Sequence, residues 1–146
     1  MTPVTLALIA HDNKKEEMLS LVEDHREELA NLSLVATRST GLLIQSRTGL
    51  CVTLMQSGPM GGDQQIGSLV ASGVVKAVIF LRDPLTVQPH EPDVSALLRV
   101  CDVHNVPLAT NATTAEAVLH LIFDHSEIIG ELSLRSRFLT GVVSAL

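Results

Sequence analysis

The residues best suited to acid–base chemistry lie in one segment, Ser57 to Gln65, with the sequence SGPMGGDQQ. Its three glycines and single proline favour a tight turn, because glycine adopts backbone angles and close approaches that other residues resist. Asp63 follows this turn, where a helix is predicted to begin and where free amides attract small anions. Two interpretations remain open. Asp63 acts as a general base beside an anionic ligand, or it only caps the helix that begins at Gln64.

Two effects act in opposite directions on the pKa of Asp63. A position at a helix N-terminus lowers the pKa of a carboxyl group, which makes it a poorer base. Like charge raises the pKa if Asp12, Asp83 and Asp93 come close in the fold. The sequence alone leaves the net direction open.

A second candidate pair is His90 and Asp93, next to two prolines at positions 89 and 92. The prolines restrict the backbone on both sides of the imidazole. The pair could form an ordinary polar loop, with Asp93 in the first turn of a helix where acidic residues are favoured. Alternatively, His90 could polarise or protonate a substrate oxygen. The loop alone supports both interpretations equally.

Two further polar clusters could bind an anion. The first, formed by His11, Asp12 and Lys15, combines an imidazole and an ammonium group with the amides of a helix start. A helix cap followed by solvated lysines would give the same pattern. The second cluster offers hydroxyl and amide donors that suit phosphate oxygens, or simply a turn and a cap. It consists of Thr37, Ser39, Thr40 and Gly41. The glycine patterns of P-loop and dinucleotide-binding proteins are missing.

An alternation of apolar runs and helical patterns must position these clusters. The predicted strands are nearly continuous apolar runs, as expected for strands covered on both faces. They span residues 4–10, 33–36, 51–55, 77–81 and 106–109. The predicted helices span residues 14–29, 40–47, 64–72, 92–104 and 113–121. This order predicts an α/β protein, with one Rossmann-like domain over residues 1–146 that has three α/β/α layers and a five-stranded parallel sheet.

Polar residues follow the carboxyl end of every predicted strand. In open parallel sheets, ligands bind beyond these ends. The ends lead, in chain order, to residues 11–15, 37–41, 57–63, 82–93 and 110–111. Solubility alone does not explain such a repeated placement, so we predict one shared site at this edge of the sheet.

The composition argues against several classes of protein. The formal charge is −6, from sixteen acidic and ten basic residues, whereas a nucleic-acid surface needs a basic footprint. No apolar run is long enough for a signal peptide or a transmembrane helix. Cys51 and Cys101 are expected to be buried thiols of a reducing compartment, and no metal-ligand spacing is visible. We expect a cytoplasmic protein without a metal, a membrane or a nucleic-acid partner.

Taken together, these segments resemble the methylglyoxal synthase family. Their order and spacing agree with that family from about Val4 to Ala117. The matching segments are Ala10–Asp12 with Lys15, Thr37–Gly41, Ser57–Gln65, Asp83–Pro84, Pro89–Asp93 and Thr110–Asn111.

The resemblance implies an activity and a set of site residues. Members of the family convert dihydroxyacetone phosphate to methylglyoxal and inorganic phosphate, without a metal or a cofactor, as a glycolytic bypass. The resemblance implies that Asp63 is the general acid/base and that His90 contacts the carbonyl end of the substrate. Further active-site acids fall at Asp12, Asp83 and Asp93. Phosphate and substrate binding falls to His11, Lys15, Thr37, Ser39, Thr40, Ser57, Gly58 and His90. The family also implies a homohexamer, with inorganic phosphate as product and candidate inhibitor.

Two departures from the family pattern stand out. Arg38 occupies a position in the phosphate-binding segment where the family commonly has glycine, so we include it among the candidate binding residues. We expect its side chain to point outward, because an inward guanidinium would crowd the neighbouring hydroxyls. The tail from about residue 124 matches poorly, although Ile128, Ile129 and Leu132 suggest a helix.

Two alternatives to the synthase remain. The chain could be a ligand-sensing regulatory domain of the same fold, or another phosphosugar lyase. The joint presence of Asp63, His90 and Asp93 favours an enzyme over a sensor.

Overall fold

The computed structural model describes residues 3–125. Its sheet consists of β1 Thr5–Ala10, β2 Ser33–Ala36, β3 Thr53–Leu54, β4 Ala77–Leu81 and β5 Leu108–Ala109. All neighbours pair in parallel, in the order β3-β2-β1-β4-β5. The order reverses between β1 and β4, which creates the kind of crevice where α/β proteins bind ligands. The five predicted parallel strands are confirmed.

The helices fill the connections between the strands. They are α1 Lys15–Asp24, α2 Arg26–Leu29, α3 Arg38–Thr48, α4 Gly62–Ala71, α5 Glu91–Val103 and α6, residues 112–125. Single turns of 3-10 helix precede α1 and α4, at Asp12–Lys14 and Gly58–Met60. The predicted helix around Ile128 and Leu132 lies outside the described residues.

The central strand β1 shows why the fold has three layers. Successive side chains of a strand point to opposite faces. Leu6 and Leu8 belong to a core cluster that includes buried residues of α1, α3 and α6. Ala7 and Ile9 belong to a second cluster with buried residues of α4 and α5. Both faces of the sheet are therefore covered, as the continuous apolar runs predict.

The helix predicted over residues 14–29 is wrong in one respect, because it breaks at His25. This residue leaves helical geometry, with φ −117° and ψ 21°, and separates α1 from α2. Its Nε2 atom lies 2.8 Å from Oε2 of Glu116 on α6, and its Nδ1 atom lies 3.6 Å from Oε1 of Glu28. The break places the His25 ring in contact with α6. Such a long-range contact cannot be predicted from the local hydrophobic periodicity.

The expectation of two buried thiols is also wrong in part. Cys101 is buried on α5, but Cys51 is exposed. The strand near Cys51 is shorter than predicted, since β3 comprises only two residues at the edge of the sheet. Cys51 therefore precedes the sheet instead of lying within it. Among residues 3–125, none of the helices is long and apolar enough to cross a membrane.

Candidate active site

His11 occupies the crevice between the ends of β1 and β4. Its backbone N–H donates to the carbonyl of Leu81, the last residue of β4, at 3.1 Å. Its ring atom Nδ1 accepts the backbone N–H of Asp83 at 2.9 Å. Because a backbone N–H can only donate, Nδ1 must be unprotonated, and the ring carries its proton on Nε2.

The Nε2 atom of His11 is poised as a neutral donor. It is buried and has no hydrogen-bond partner within residues 3–125. Burial lowers the pKa of His11, and the nearby His90 ring, whose centroid lies 5.9 Å away, lowers it further. The neutral form is therefore favoured at physiological pH.

A cavity of about 240 Å³ opens beside this ring. Its lining is rich in hydrogen-bond donors at the ends of β1, β2 and β3. The lining residues include His11, Asp12, Lys15, Thr37, Ser39, Ser57, Gly58 and Gln88. Thr37 precedes the first residue of α3, and the first amides of a helix have no partner inside it. These groups can bind a small anion, even in a protein of net negative charge.

Lys15 supplies the positive charge of this cavity. Its Nζ atom donates to the carbonyl of Ala10 at 2.6 Å and to Oγ1 of Thr40 at 3.3 Å. Burial lowers the pKa of Lys15, and Asp12, whose Oδ1 lies 3.5 Å away, opposes the shift. Thr40 holds the lysine in place and does not itself line the cavity. Asp12 lines the cavity with a side chain that is 98% exposed.

Asp63 lies on the first turn of α4, but it does not cap that helix. The N-cap is Gly61, at φ 100°, and no side-chain cap bond forms. Gly62 packs so tightly against the carbonyl of Gln56 that no Cβ would fit there. This packing turns Asp63 inward, where both carboxylate oxygens are buried without a hydrogen-bond partner within residues 3–125. The capping interpretation is therefore wrong.

Burial decides the direction of the Asp63 pKa shift. It raises the pKa of Asp63, the nearby His90 lowers it, and the charge of Asp93 raises it. The net direction is upward. Nε2 of His90 lies 3.6 Å from Oδ2 of Asp63, which is too far for a good hydrogen bond. A carboxyl group with a raised pKa is a stronger base, which suits proton abstraction.

The His90 ring approaches the backbone of Gly58 closely. A Cβ placed on Gly58 would lie 2.7 Å from Nε2 of His90 and 3.5 Å from Oδ1 of Asp63. A side chain at position 58 would therefore fill the space between the turn and the Asp63–His90 pair. Nδ1 of His90 is also buried without a hydrogen-bond partner within the described range.

Asp83 and Asp93, two of the predicted active-site acids, do not line the 240 Å³ cavity. Asp83 Oδ2 accepts from the Asn13 amide at 2.8 Å, and Oδ1 accepts the N–H of Leu85 at 3.1 Å. Hydrogen bonds from Thr86, Asn13 and the Leu85 amide lower the pKa of Asp83. Its contribution to the site is the backbone N–H that orients His11.

Asp93 lies on the first turn of α5, three residues after His90. Its Oδ1 atom accepts a hydrogen bond from Nε2 of Gln64 at 2.8 Å. Its charge acts on Asp63, although its carboxylate does not line the cavity.

Arg38 is the first residue of α3 and is exposed. It does not line the cavity, although its neighbours Thr37 and Ser39 do. This placement agrees with an outward side chain and sets Arg38 apart from the candidate phosphate donors.

Three contributors were absent from the sequence-based site. Gln88 lines the cavity from the loop before His90. Gln65 accepts the backbone N–H of Gln56 through Oε1 at 2.7 Å and so fixes the start of the SGPMGG turn. Asn13 holds Asp83. The adjacent glutamines after Asp63 were a visible signal, since side chains that follow a candidate base are well placed to orient its surroundings.

A larger cavity of about 580 Å³ is lined by Asp83 and by the loop that follows it. Its charged residues are largely paired. Lys14 lies 3.3 Å from Glu17, and Arg82 lies 3.7 Å from Glu91. Of the buried groups that have no hydrogen-bond partner within residues 3–125, His11 lines the smaller cavity. Asp63 and His90 do not line it, but both approach its lining residue Gly58, so we place the candidate chemistry there.

Known proteins resemble this chain over most of its length. Residues 17–110 match the family model of the MGS-like domain. A methylglyoxal synthase of Moorella thermoacetica is 60% identical over 120 residues, which cover 82% of this chain and 94% of the relative. A methylglyoxal synthase of Bacillus subtilis is 56% identical over 117 residues, or 80% of this chain and 85% of the relative.

A solved structure supports the same relationship. The crystal structure of methylglyoxal synthase from Elizabethkingia anophelis superposes with a TM-score of 0.76 at 44% identity. The match covers 80% of this chain and 77% of that chain. The resemblance found in the sequence motifs therefore extends to the fold.

Proposed function

The chain belongs to the methylglyoxal synthase family, and we propose that it eliminates phosphate from dihydroxyacetone phosphate to give methylglyoxal. One observation carries this proposal: the Asp63 carboxylate is buried without a hydrogen-bond partner within residues 3–125, beside the His90 imidazole and next to Gly58, which lines the candidate anion cavity. A base and an anion site together are what a phosphate elimination through an enediolate requires.

Asp63 starts the reaction as the base. It takes a proton from the hydroxymethyl carbon next to the ketone, and the C–H electrons form an enediolate. Burial supports this role, because it raises the pKa of Asp63 and keeps water from competing for the carboxylate.

Two imidazoles stabilise the developing charge. His90 stands 3.6 Å from Asp63, so both side chains can contact the same bound substrate. His11 offers a neutral Nε2–H donor that the Asp83 amide holds in one tautomer. A neutral donor fixed in a buried site stabilises an oxyanion without a cost of reorganisation during the reaction.

The cavity donors then accept the leaving group. Lys15, Ser39 and Ser57 surround the space where the phosphate would lie. The hydroxyl on the deprotonated carbon passes its proton to the departing phosphate and becomes the aldehyde carbonyl. The carbon–carbon double bond shifts toward the phosphate-bearing carbon as the C–O bond to phosphate breaks, and the electrons of that bond leave with the phosphate. The resulting enolate takes a proton on its terminal carbon and becomes methylglyoxal.

The direct test is an assay of the purified protein with dihydroxyacetone phosphate. We expect methylglyoxal and inorganic phosphate in equal amounts, at a rate far above the spontaneous elimination. A ligand-sensing domain would bind the substrate without turnover, and a different lyase would release phosphate without methylglyoxal. Either result would contradict the proposal.

We also expect inorganic phosphate to bind the cavity and stabilise the fold. A ligand that binds the native state at ten times its Kd stabilises it by about 1.4 kcal/mol. With a Kd on the order of 1 mM, 10 mM phosphate should raise Tm measurably above a chloride buffer of equal ionic strength. Ser39→Ala should reduce this gain while leaving Tm in chloride unchanged. Equal melting temperatures of the wild-type protein in both buffers would argue against the anion site.

A further inference from the structure

We propose that Gln64 is a positioning residue that holds the Asp93 carboxylate near the Asp63–His90 pair. Its Nε2 atom donates to Oδ1 of Asp93 at 2.8 Å, from the first turn of α4 to the first turn of α5. Gln64 directly follows Asp63, and Asp93 is hydrogen-bonded through its backbone N–H to the carbonyl of His90 at 3.0 Å. The Gln64 side-chain amide therefore connects the residue after Asp63 to a residue that is bonded to His90.

The link acts on the pair through charge. Among the described residues, the charged and titratable groups that act on Asp63 are His90, which precedes α5, and Asp93 on α5. The His11 ring at the end of β1 lies 5.9 Å from the His90 ring, and the charges of the Arg82–Glu91 ion pair act on His11. Asp93 adds to the upward pKa shift of Asp63, because two nearby carboxylates disfavour a second negative charge.

Gln64 determines where that second charge is held. The side chain of Gln64 is exposed and that of Asp93 is only partly buried, so without the amide the carboxylate would be free to turn toward solvent. A more distant and better solvated carboxylate acts less on Asp63. Gln64 thus keeps the base strong without touching the substrate.

A purely structural role is the competing explanation. The Gln64–Asp93 hydrogen bond also joins the first turns of α4 and α5. These two helices pack together through a buried cluster that includes Ile66 and Leu97. Loss of a tether would lower the melting temperature but leave the titration of Asp63 unchanged. The two roles are therefore separable.

The test is Gln64→Met, which keeps the length of the side chain and removes the donor. The kinetic expectation rests on the proposed function: kcat should fall roughly tenfold, with KM changed less than about twofold. The acidic limb of the kcat/KM profile should move to lower pH, because the pKa of Asp63 falls when Asp93 moves away. In an Asp93→Asn background, Gln64→Met should cause no further shift.

A second measurement does not depend on turnover. Carboxyl carbon NMR titration of the ligand-free protein should show the Asp63 pKa moving toward its ordinary value in Gln64→Met. If the wild-type protein lacks synthase activity, the proposed function fails, but this titration still decides the role of Gln64.

Gln45→Met is the matched control. Gln45 also uses its amide across elements, since Nε2 donates to the carbonyl of Val52 at 2.8 Å, far from the site. It should lose stability without any change in the titration of Asp63 or in the pH profile. If Gln64→Met behaves in the same way, with a lower Tm and an unmoved Asp63 titration, Gln64 is only a tether and the proposal is wrong.

Discussion

Asp63→Asn is expected to lower kcat by about 10³- to 10⁴-fold with little change in KM, as is typical when a general base is removed. Both oxygens of the carboxylate are buried without a partner within residues 3–125, so the side chain makes no structural bond that the amide would break. Asparagine fills nearly the same volume but cannot accept a proton from carbon. Turnover of dihydroxyacetone phosphate and calorimetric substrate binding would be measured together.

Asp102→Asn makes the same chemical change on the exposed surface of α5 and should leave kcat unaffected. Asp63→Asn with near-normal turnover would remove Asp63 from the role of base. A variant that loses binding to the same extent as turnover would instead place Asp63 among the groups that hold the substrate.

The same variant should be more stable than the wild-type protein at neutral pH. Burial raises the pKa of Asp63 in the folded protein above its ordinary value of 3.8, which applies to the unfolded chain. At a pH between the unfolded-state pKa and the raised folded-state pKa, the folded protein therefore binds more protons than the unfolded chain. The free energy of unfolding therefore falls as pH rises through this window, and the full penalty applies above the raised pKa. Removing a buried charge that has no hydrogen-bond partner within residues 3–125 should add about 1 kcal/mol of stability at pH 7.

Thermal melts across pH would test the linkage. The gain in Asp63→Asn should shrink as pH falls through the window and should be smallest below the ordinary pKa of aspartate, where both states of the wild-type protein are protonated at this position. A gain that is equal at every pH would show that the charge of Asp63 is not its cause. Loss of activity with gain of stability is the pattern expected where a binding site holds an uncompensated group.

The sheet could be predicted from sequence because its strands are buried on both faces. In β1, every residue from Leu6 to Ala10 is apolar and buried. This continuous apolar run indicates a strand covered on both faces, whichever helices cover it. The break at His25 could not be predicted in the same way. It depends on Glu116, which lies 91 residues away and becomes a neighbour only after α6 has packed.

The candidate site divides along similar lines. Segments at the strand ends were predictable, because parallel strands bring their carboxyl ends to one edge. The direction of the Asp63 pKa was not, since it depends on how deeply the turn at Gly62 carries the carboxylate into the protein. For Asp83, the residue type pointed to a carboxylate role, whereas the fold uses its carboxylate to fix a loop and its backbone N–H to orient His11. Because nearly every residue type has a backbone N–H, such a contribution cannot be predicted from the amino-acid sequence.

The second large effect is expected from Gly58→Ala, which should lower kcat by roughly 10²-fold, the order of loss caused by a displacement of about 1 Å in an active site. The new Cβ would lie 2.7 Å from Nε2 of His90, closer than the two atoms can approach. The ring is the free end of a side chain, so it can swing away while the backbone stays in place. The fold should therefore survive, and the 3.6 Å approach of His90 to Asp63 should be lost.

Gly67→Ala is the control that separates this effect from a general intolerance of side chains at glycine. Within the part of the chain that the structure describes, a Cβ on Gly67 would meet only Cδ1 of Leu97, at an ordinary contact distance of 3.8 Å. Because Gly67 lies inside α4, alanine there should add about 0.5–1 kcal/mol of stability and leave kcat unchanged. If Gly58→Ala keeps near-normal kcat while its Tm falls, the close approach matters for folding and not for the placement of His90. Loss of kcat at an unchanged Tm would instead establish that glycine is needed at position 58 to leave space for the His90 ring.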